Sequence, residues 1–381
     1  MNTDLKILMI SSDRNILAPS SAVLERVKEY GTLVAELHIV LLSNASHNLK
    51  EAQIAPNVWV YPTNSSIKYL RPLGAARIGN KLIYQKKFIR GQSIITAQDP
   101  FECGWAGLRV KRKWRLPLEV QLHTNPFSPF FTGFQNKVRQ HFARTVLTNA
   151  DAVRVVSQGL TSEIAAFTKA PISVLPIYVD KEVIENSPVA FDVHARYPWS
   201  FILLTVSRLS PEKNLGLAIE ALALVRQTFP DTGLLVVGSG SEESRLKSLV
   251  KKLGLLGHVE FAGWQNNLTS FYKTANVFVQ TSLFEGYGLS LVEAGLSELP
   301  VVTTPVGIAL ELEDGKDVYI CPPGRPELFA QAIIDLIENN QKRENLRFNL
   351  KRALENRLLF SKENYLKELL AEWGRVAKLI S

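Results

Sequence analysis

Short apolar runs alternate with amphipathic stretches through both halves of the chain, and this alternation constrains the fold more than any other feature. LKILMIS, ELHIVLLS, VWVYP, SIITA, LEVQLH, AVRVVS and ISVLP read as strands in the first half, with helical patterns such as SSAVLERVKEYGTLVAE and QNKVRQHFARTVLTNA between them. FILLTVS, GLLVVGS, VEFAG, VFVQTS and PVVTTP repeat the theme in the second half, spaced by LGLAIEALALVRQT and EESRLKSLVKKLG. Strands separated by helices at this spacing imply parallel sheets with helices on both faces. A chain of 381 residues exceeds one core of ordinary size. The expected fold class is therefore α/β, with two Rossmann-like doubly wound domains in tandem. NSPVAFDVHARYPW lacks periodicity and carries Pro188 and Pro198, so residues 186–199 are expected to link a domain at 1–185 to one at 200–358. The amphipathic run ENYLKELLAEWGRVAKLI predicts a terminal helix within 359–381.

Composition narrows the function classes. No segment is apolar for the roughly 18 residues that a spanning helix needs, and the opening residues read as a first strand rather than a leader, so a cytoplasmic protein is expected. Cys103 and Cys321 are too few and too far apart for a disulfide framework or a paired-cysteine metal site. The net charge of +8 lies entirely in the first half: residues 1–200 hold 24 Lys and Arg against 15 Asp and Glu, the remainder 20 against 21. Residues 68–115 carry twelve basic side chains and only Asp99 and Glu102 as acids. Such a patch suits an anionic membrane surface, a phosphate-bearing substrate or nucleic acid, or is an ordinary solvated face.

In doubly wound sheets ligands bind beyond the carboxyl ends of the strands. Four loops there bear chemistry. After VFVQTS comes EGYGLSLVEA, where Gly286 and Gly288 permit a tight turn and a helix from about Leu289 aims its amides and dipole at the crevice. Glu285 and Glu293 then lie at most about 12 Å apart, a reach suited to a ligand with hydroxyls at both ends and a diphosphate between. The alternative is a solvated glutamate on a surface helix. SRLSPEKN brings Arg208 and Lys213 to a strand end, where they would neutralise a diphosphate or merely charge a loop. VVGSGSEES has Glu243 where a dinucleotide fingerprint needs its third glycine, which disfavours NAD. It leaves Gly238 and Gly240 as a close-approach turn near a nucleotide or as a simple turn. In QLHTNPFSPFF, His123 follows a strand directly, and Phe127, Phe130 and Phe131 offer rings for sugar stacking. Asp99 and Glu102 follow another strand, either as acceptor-hydroxyl ligands or as plain loop polars.

Taken together, these stretches resemble the retaining glycosyltransferases of the GT-B fold known as glycosyl transferases group 1, or family 4, in a bacterial polysaccharide-type branch. LLTVSRLSPEKNLGLAIEAL, VVGSG, VEFAGW, TSLFEGYGLSLVEAGLSELPVVTTPVG and ICPPG carry the likeness over 200–325, and TAQDPFECG and VQLHTNPFSPFF extend it to the first half. The resemblance implies that Arg208 and Lys213 bind the donor diphosphate, Glu285 contacts the transferred sugar and Glu293 the ribose. It assigns backbone amides at Gly288, Leu289 and Ser290 to the phosphates, places Gly263 and Trp264 by the base, and turns His123 toward the donor sugar. Asn125 and Phe127 join Asp99 and Glu102 on the acceptor side, and the last helix returns to the first domain. The chain departs from the pattern in SSDRNILAPSS, which has no glycine, in IYVD at 177–180, and in Ile308 after Gly307.

The reaction so implied moves a sugar from a nucleoside diphosphate sugar to a hydroxyl of a glycan or lipid-linked glycan, with retention. No glycosidase-type acid pair has an obvious placement, and no Asp-x-Asp motif occurs, so front-face displacement without a metal or further cofactor is expected. The basic 68–115 region would meet an anionic membrane, with no nucleic acid partner. A nucleotide-sugar 2-epimerase of the same fold and a non-catalytic partner protein are the rival readings.

Overall fold

The computed structural model describes residues 3–129, 131–357 and 361–380. They form two units, residues 1–176 with 361–381, and residues 177–360. The first is built on strands β1 (Thr3–Ser11), β2 (Val34–Leu41), β3 (Ala52–Ala55), β4 (Val58–Pro62), β5 (Ser93–Ala97), β6 (Leu118–Leu122), β7 (Ala152–Val155) and β8 (Ile172–Val174). Their order in the sheet is β3-β4-β2-β1-β5-β6-β7-β8, and all pairs are parallel except the edge pair β3 with β4. Ile7, Leu8, Met9 and Ile10 of the central β1 are all fully buried, as a parallel strand covered on both faces requires.

The second unit holds β9 (Phe201–Val206), β10 (Thr232–Val237), β11 (Val259–Gly263), β12 (Val277–Gln280), β13 (Val301–Thr303) and β14 (Tyr319–Ile320), ordered β11-β10-β9-β12-β13-β14. Every pair is parallel. The order of strands reverses between β9 and β12, and this switch point opens a crevice for ligands. Leu203, Leu234, Val236, Val277 and Val279 pack beneath the apolar helices Leu215–Val225 and Pro326–Glu338.

One expectation is revised by the structure. The helix expected to run through SSAVLERVKEYGTLVAE spans only Ala22–Gly31. Ser21 caps its start, and Gly31 sits so close to β4 that an added Cβ would lie 2.3 Å from Val58 Cγ2, which turns the chain into β2 three residues on. The division between the units falls between 176 and 177, and residues 186–199 are tied into the second unit. The amides of Ala190 and Val193 donate to the hydroxyls of Ser270 and Thr274, and Lys273 Nζ donates to the carbonyls of Glu185 and Ser187. Trp199 is buried, donating its indole N–H to the Gly257 carbonyl. Side-chain hydroxyls thus satisfy a stretch whose composition reads as irregular. The basic region is largely helical, at Arg71–Gln85 and Glu102–Trp114.

The terminal helix, Lys362–Ala377, belongs to the first unit. Trp373 and Leu369 are fully buried, Tyr365 and Tyr30 share a hydroxyl hydrogen bond of 3.2 Å, and Ser173 donates to Glu372 at 2.6 Å. Both cysteines are buried and free.

Candidate functional site

The loops after β9 and β12 flank the switch point of the second unit. After β9 the chain makes a single turn at Pro211–Lys213, and Asn214 takes a left-handed conformation, φ 49°. After β12, Thr281 donates its hydroxyl to the carbonyls of Lys213 and Asn214, and the Leu283 amide donates to the Glu212 carbonyl. These bonds hold the two loops in register. The outcome is a contact between two candidate residues 72 positions apart: Lys213 Nζ lies 2.5 Å from Glu285 Oε1, with only 16% and 15% of the side chains exposed. Ser282 donates to the same oxygen at 2.7 Å. Behind the pair is a space of about 10 Å³, room for roughly one water. Arg208 points outward, 71% exposed, and pairs with Glu212 at 3.2 Å.

The EGYG turn owes its shape to two glycines. Gly288 has φ 93° and caps the helix Leu289–Leu296 with no atom closer than 3.8 Å to an added Cβ, so backbone conformation rather than space requires glycine. Gly307, φ 57°, lies against the turn, where an added Cβ would be 2.4 Å from the Tyr287 carbonyl oxygen. The Ile308 amide donates to that same oxygen at 2.7 Å. The first intrahelical donors are Leu291 and Val292, both to the Gly288 carbonyl. The Leu289 and Ser290 amides precede them, at the positive end of the helix dipole.

Glu293 is half-buried, and Tyr272 donates its phenol to Oε2 at 2.9 Å. Burial raises the Glu293 pKa above the usual carboxylate range, with the Tyr272 bond opposing. Tyr272, 3% exposed, also bonds Ser290, and burial together with the Glu293 charge pushes its phenol far up. No spacing pattern in the sequence marks Tyr272, because it comes from the separate helix Thr269–Thr274. Ser282, by contrast, stands three residues before Glu285.

Gly238 and Gly240 are close-approach glycines, but what they approach is the chain itself. An added Cβ would lie 1.9 Å from the Ser207 carbonyl oxygen at Gly238 and 2.3 Å from that of Leu209 at Gly240. Leu209 and Glu242 amides complete the join, bonding the Ser239 and Leu209 carbonyls. These glycines seat the loop that carries Arg208 and Lys213. Gly263, φ 67°, has nothing within 4 Å of an added Cβ, and Trp264 beside it is 70% exposed, its indole N–H 3.2 Å from Asn266 Oδ1.

In the first unit His123 directly follows β6 and is exposed to solvent, with protein atoms crowded about the ring. Desolvation there, followed by the positive charges of Arg154 and Arg26, lowers its pKa to about 4. Asp99 is half-buried and accepts the Phe101 and Cys103 amides at 2.8 and 3.2 Å, so it caps the helix Glu102–Trp114. Glu102 faces Arg139 at 3.7 Å. Asn125 accepts the Phe127 amide at 2.8 Å, and Phe127 stacks on Phe167 with centroids 3.7 Å apart. Phe131 stacks on Phe101, and Phe130 lies outside the described residues. The intended acceptor-side groups therefore already have internal partners. Among the described residues no group of three or more His, Cys, Asp or Glu is placed to hold a metal ion, and no helix is long and apolar enough to cross a membrane.

Two doubly wound, mostly parallel α/β units of these topologies define the class of the molecule, the GT-B fold. The solved structure of Anabaena HepE in complex with UDP and glucose matches it with a TM-score of 0.76 at 23% identity, covering 97% of this chain and 100% of that one. Two family models match in sequence order, Glycosyltransferase Family 4 over residues 35–183 and Glycosyl transferases group 1 over residues 187–353. The chain belongs to the group 1 glycosyltransferase family. An uncharacterized glycosyltransferase of Methanocaldococcus jannaschii is 26% identical over 53% of this chain and 50% of its own. The UDP-N-acetylglucosamine–peptide N-acetylglucosaminyltransferase GtfA subunit of Streptococcus agalactiae is 25% identical over 69% of this chain and 55% of its own. The chain thus spans about half the length of these curated relatives.

Proposed function

We propose that the chain transfers a sugar from a nucleoside diphosphate sugar to a hydroxyl of a glycan or lipid-linked glycan, with retention at the anomeric carbon and without a metal. The observation that carries this reading is the Lys213–Glu285 contact at the β9/β12 switch point, beside the amino end of the helix Leu289–Leu296. HepE was solved with UDP and glucose, and GtfA is named for a UDP-sugar, which supports a uridine donor here.

Without a donor the Lys213 ammonium neutralises Glu285. A bound diphosphate offers Lys213 a stronger anionic partner, joined by the exposed Arg208 and by the Leu289 and Ser290 amides. Glu285 is then released to accept a hydroxyl of the donor sugar. Charge developing on the departing diphosphate is met by groups already in place, the arrangement that contributes most to transfer rates. The bond from the anomeric carbon to the phosphate oxygen breaks with its electron pair going to phosphate. The acceptor oxygen bonds the same face of that carbon, and its proton passes to the leaving phosphate oxygen. Glu293 with Tyr272 would hold ribose hydroxyls and Trp264 the base. The same reading has the enzyme working in the cytoplasm, peripheral to an anionic membrane face.

The test is turnover of UDP-glucose and UDP-N-acetylglucosamine in water, followed by early proton NMR of the released sugar. Release of the α-anomer supports the reading, and release of the β-anomer, or no nucleotide release with any donor or acceptor, overturns it.

A further inference from the structure

The first unit contains an open groove of about 640 Å³ between the helices Arg71–Gln85 and Glu102–Trp114, with no role in the donor chemistry. Its walls carry Arg77, Lys81, Arg109 and Lys113, and no carboxylate lines it. Among the described residues none of these four cations pairs with an acid; Arg109 and Lys113 rest instead over Trp105 and Trp114, 4.9 and 5.4 Å from the ring centroids. Four uncompensated cations around one groove attract a polyanion, and phosphate is the anion that such a fork of guanidinium and ammonium groups fits.

The surroundings decide which phosphate. Leu73, Arg77, Lys81 and Tyr84 form one exposed stripe along the first helix, whose opposite face, Ala75, Ala76, Gly79, Leu82 and Ile83, is buried. Apolar side chains flank the stripe in the open: Tyr69 is 81% exposed and Tyr84 75%, with Ile67, Leu70 and Ile89 exposed as well. A soluble polyanion gains nothing from such groups. A lipid leaflet uses both, since apolar and aromatic side chains enter the headgroup boundary while long cations reach the phosphates.

We infer that the groove between these two helices seats the phosphate headgroups of anionic lipid, with Tyr69, Leu70, Leu73 and Tyr84 entering the leaflet beside it. The purpose of that seating, bringing the chain to a lipid-linked acceptor, rests on the glycosyl-transfer reading; the surface itself rests on the groove.

The experiment is co-sedimentation of the full chain with vesicles of phosphatidylcholine alone and of an equal mixture with phosphatidylglycerol, at low and high salt. Two variants accompany the wild type, R77E/K81E and L73S/Y84S, all on the exposed stripe. The wild type should partition onto the mixed vesicles only. At roughly five-fold per basic residue, R77E/K81E should lose at least about 25-fold of that partition. L73S/Y84S should bind at low salt but lose the residual binding that the wild type keeps at high salt. Equal wild-type partition onto both vesicles, no partition onto either, or wild-type behaviour of R77E/K81E would overturn the inference. So would a thermal shift by inorganic diphosphate that R77E/K81E abolishes, if vesicles are not bound, since the ligand would then be free phosphate. A UDP thermal shift in the same samples separates the two claims. If vesicles bind and UDP does not, the donor reading fails alone; if UDP binds and vesicles do not, the groove inference fails alone.

Discussion

Lys213 and Glu285 are each unremarkable in isolation, and their meeting at 2.5 Å is what gives the site its chemistry. Lys213→Ala should lower donor turnover by about 10²–10³, the usual cost of removing one preorganised donor from a developing oxyanion. The folding midpoint should fall as well, because the largely buried Glu285 carboxylate is left with the Ser282 hydroxyl in place of its cation. Steady-state kinetics beside a thermal melt would check this. Glu293 is expected to behave differently. Its pKa is raised in the folded state by burial, so the stability it allows is fully present below the unfolded carboxylate pKa and is lost as pH rises through the folded value. Glu293→Gln should therefore be more stable than the wild type at neutral pH, with the two melting curves converging in acid, while nucleotide affinity falls. His123 has the opposite dependence. With its pKa lowered to about 4, the unfolded chain takes up a proton from near pH 6.5 downward while the folded chain does not. The wild type should thus lose more stability between those pH values than His123→Gln, as pH-dependent melts would show.

At the scale of elements, the loop after β9 depends on glycines in the loop after β10. Gly240→Ala would force a Cβ to within 2.3 Å of the Leu209 carbonyl, so it should cost about 1–3 kcal/mol, as overpacking does, and should also depress turnover by displacing Lys213. Gly263→Ala meets nothing within 4 Å and should cost only the left-handed backbone, about 1–2 kcal/mol. Denaturant unfolding of both variants with parallel kinetics distinguishes the cases. The same elements show what the sequence makes legible. Buried parallel strands such as β1 and β9 are visible because both faces demand apolar residues, and the EGYG turn because glycine, carboxylate and helix start fall within ten residues. β3 and β14 escape notice because four and two residues carry too little pattern. Gly238 and Gly240 are legible as close-approach positions, but their partner, a carbonyl some thirty residues upstream, is a tertiary fact. Tyr272 is invisible for the same reason, and the basic run 68–115 hides two helices because its charge pattern dominates its periodicity.

At the scale of the molecule, the chain leaves the first unit at residue 176 and re-enters it at 361, so the second unit is an insertion in chain order. The terminal helix is consequently part of the first unit's core. Trp373→Ala should cost about 3–5 kcal/mol and should expose the first unit to proteolysis before the second. The most direct measurement is calorimetric titration of UDP into the full chain and into the Lys213→Ala variant. The wild type should bind UDP in preference to GDP and ADP, and Lys213→Ala should bind it at least about tenfold more weakly, the loss of roughly one charge-assisted bond to phosphate. No binding of any nucleoside diphosphate, or equal affinity in the variant, would contradict a donor site at the β9/β12 switch point.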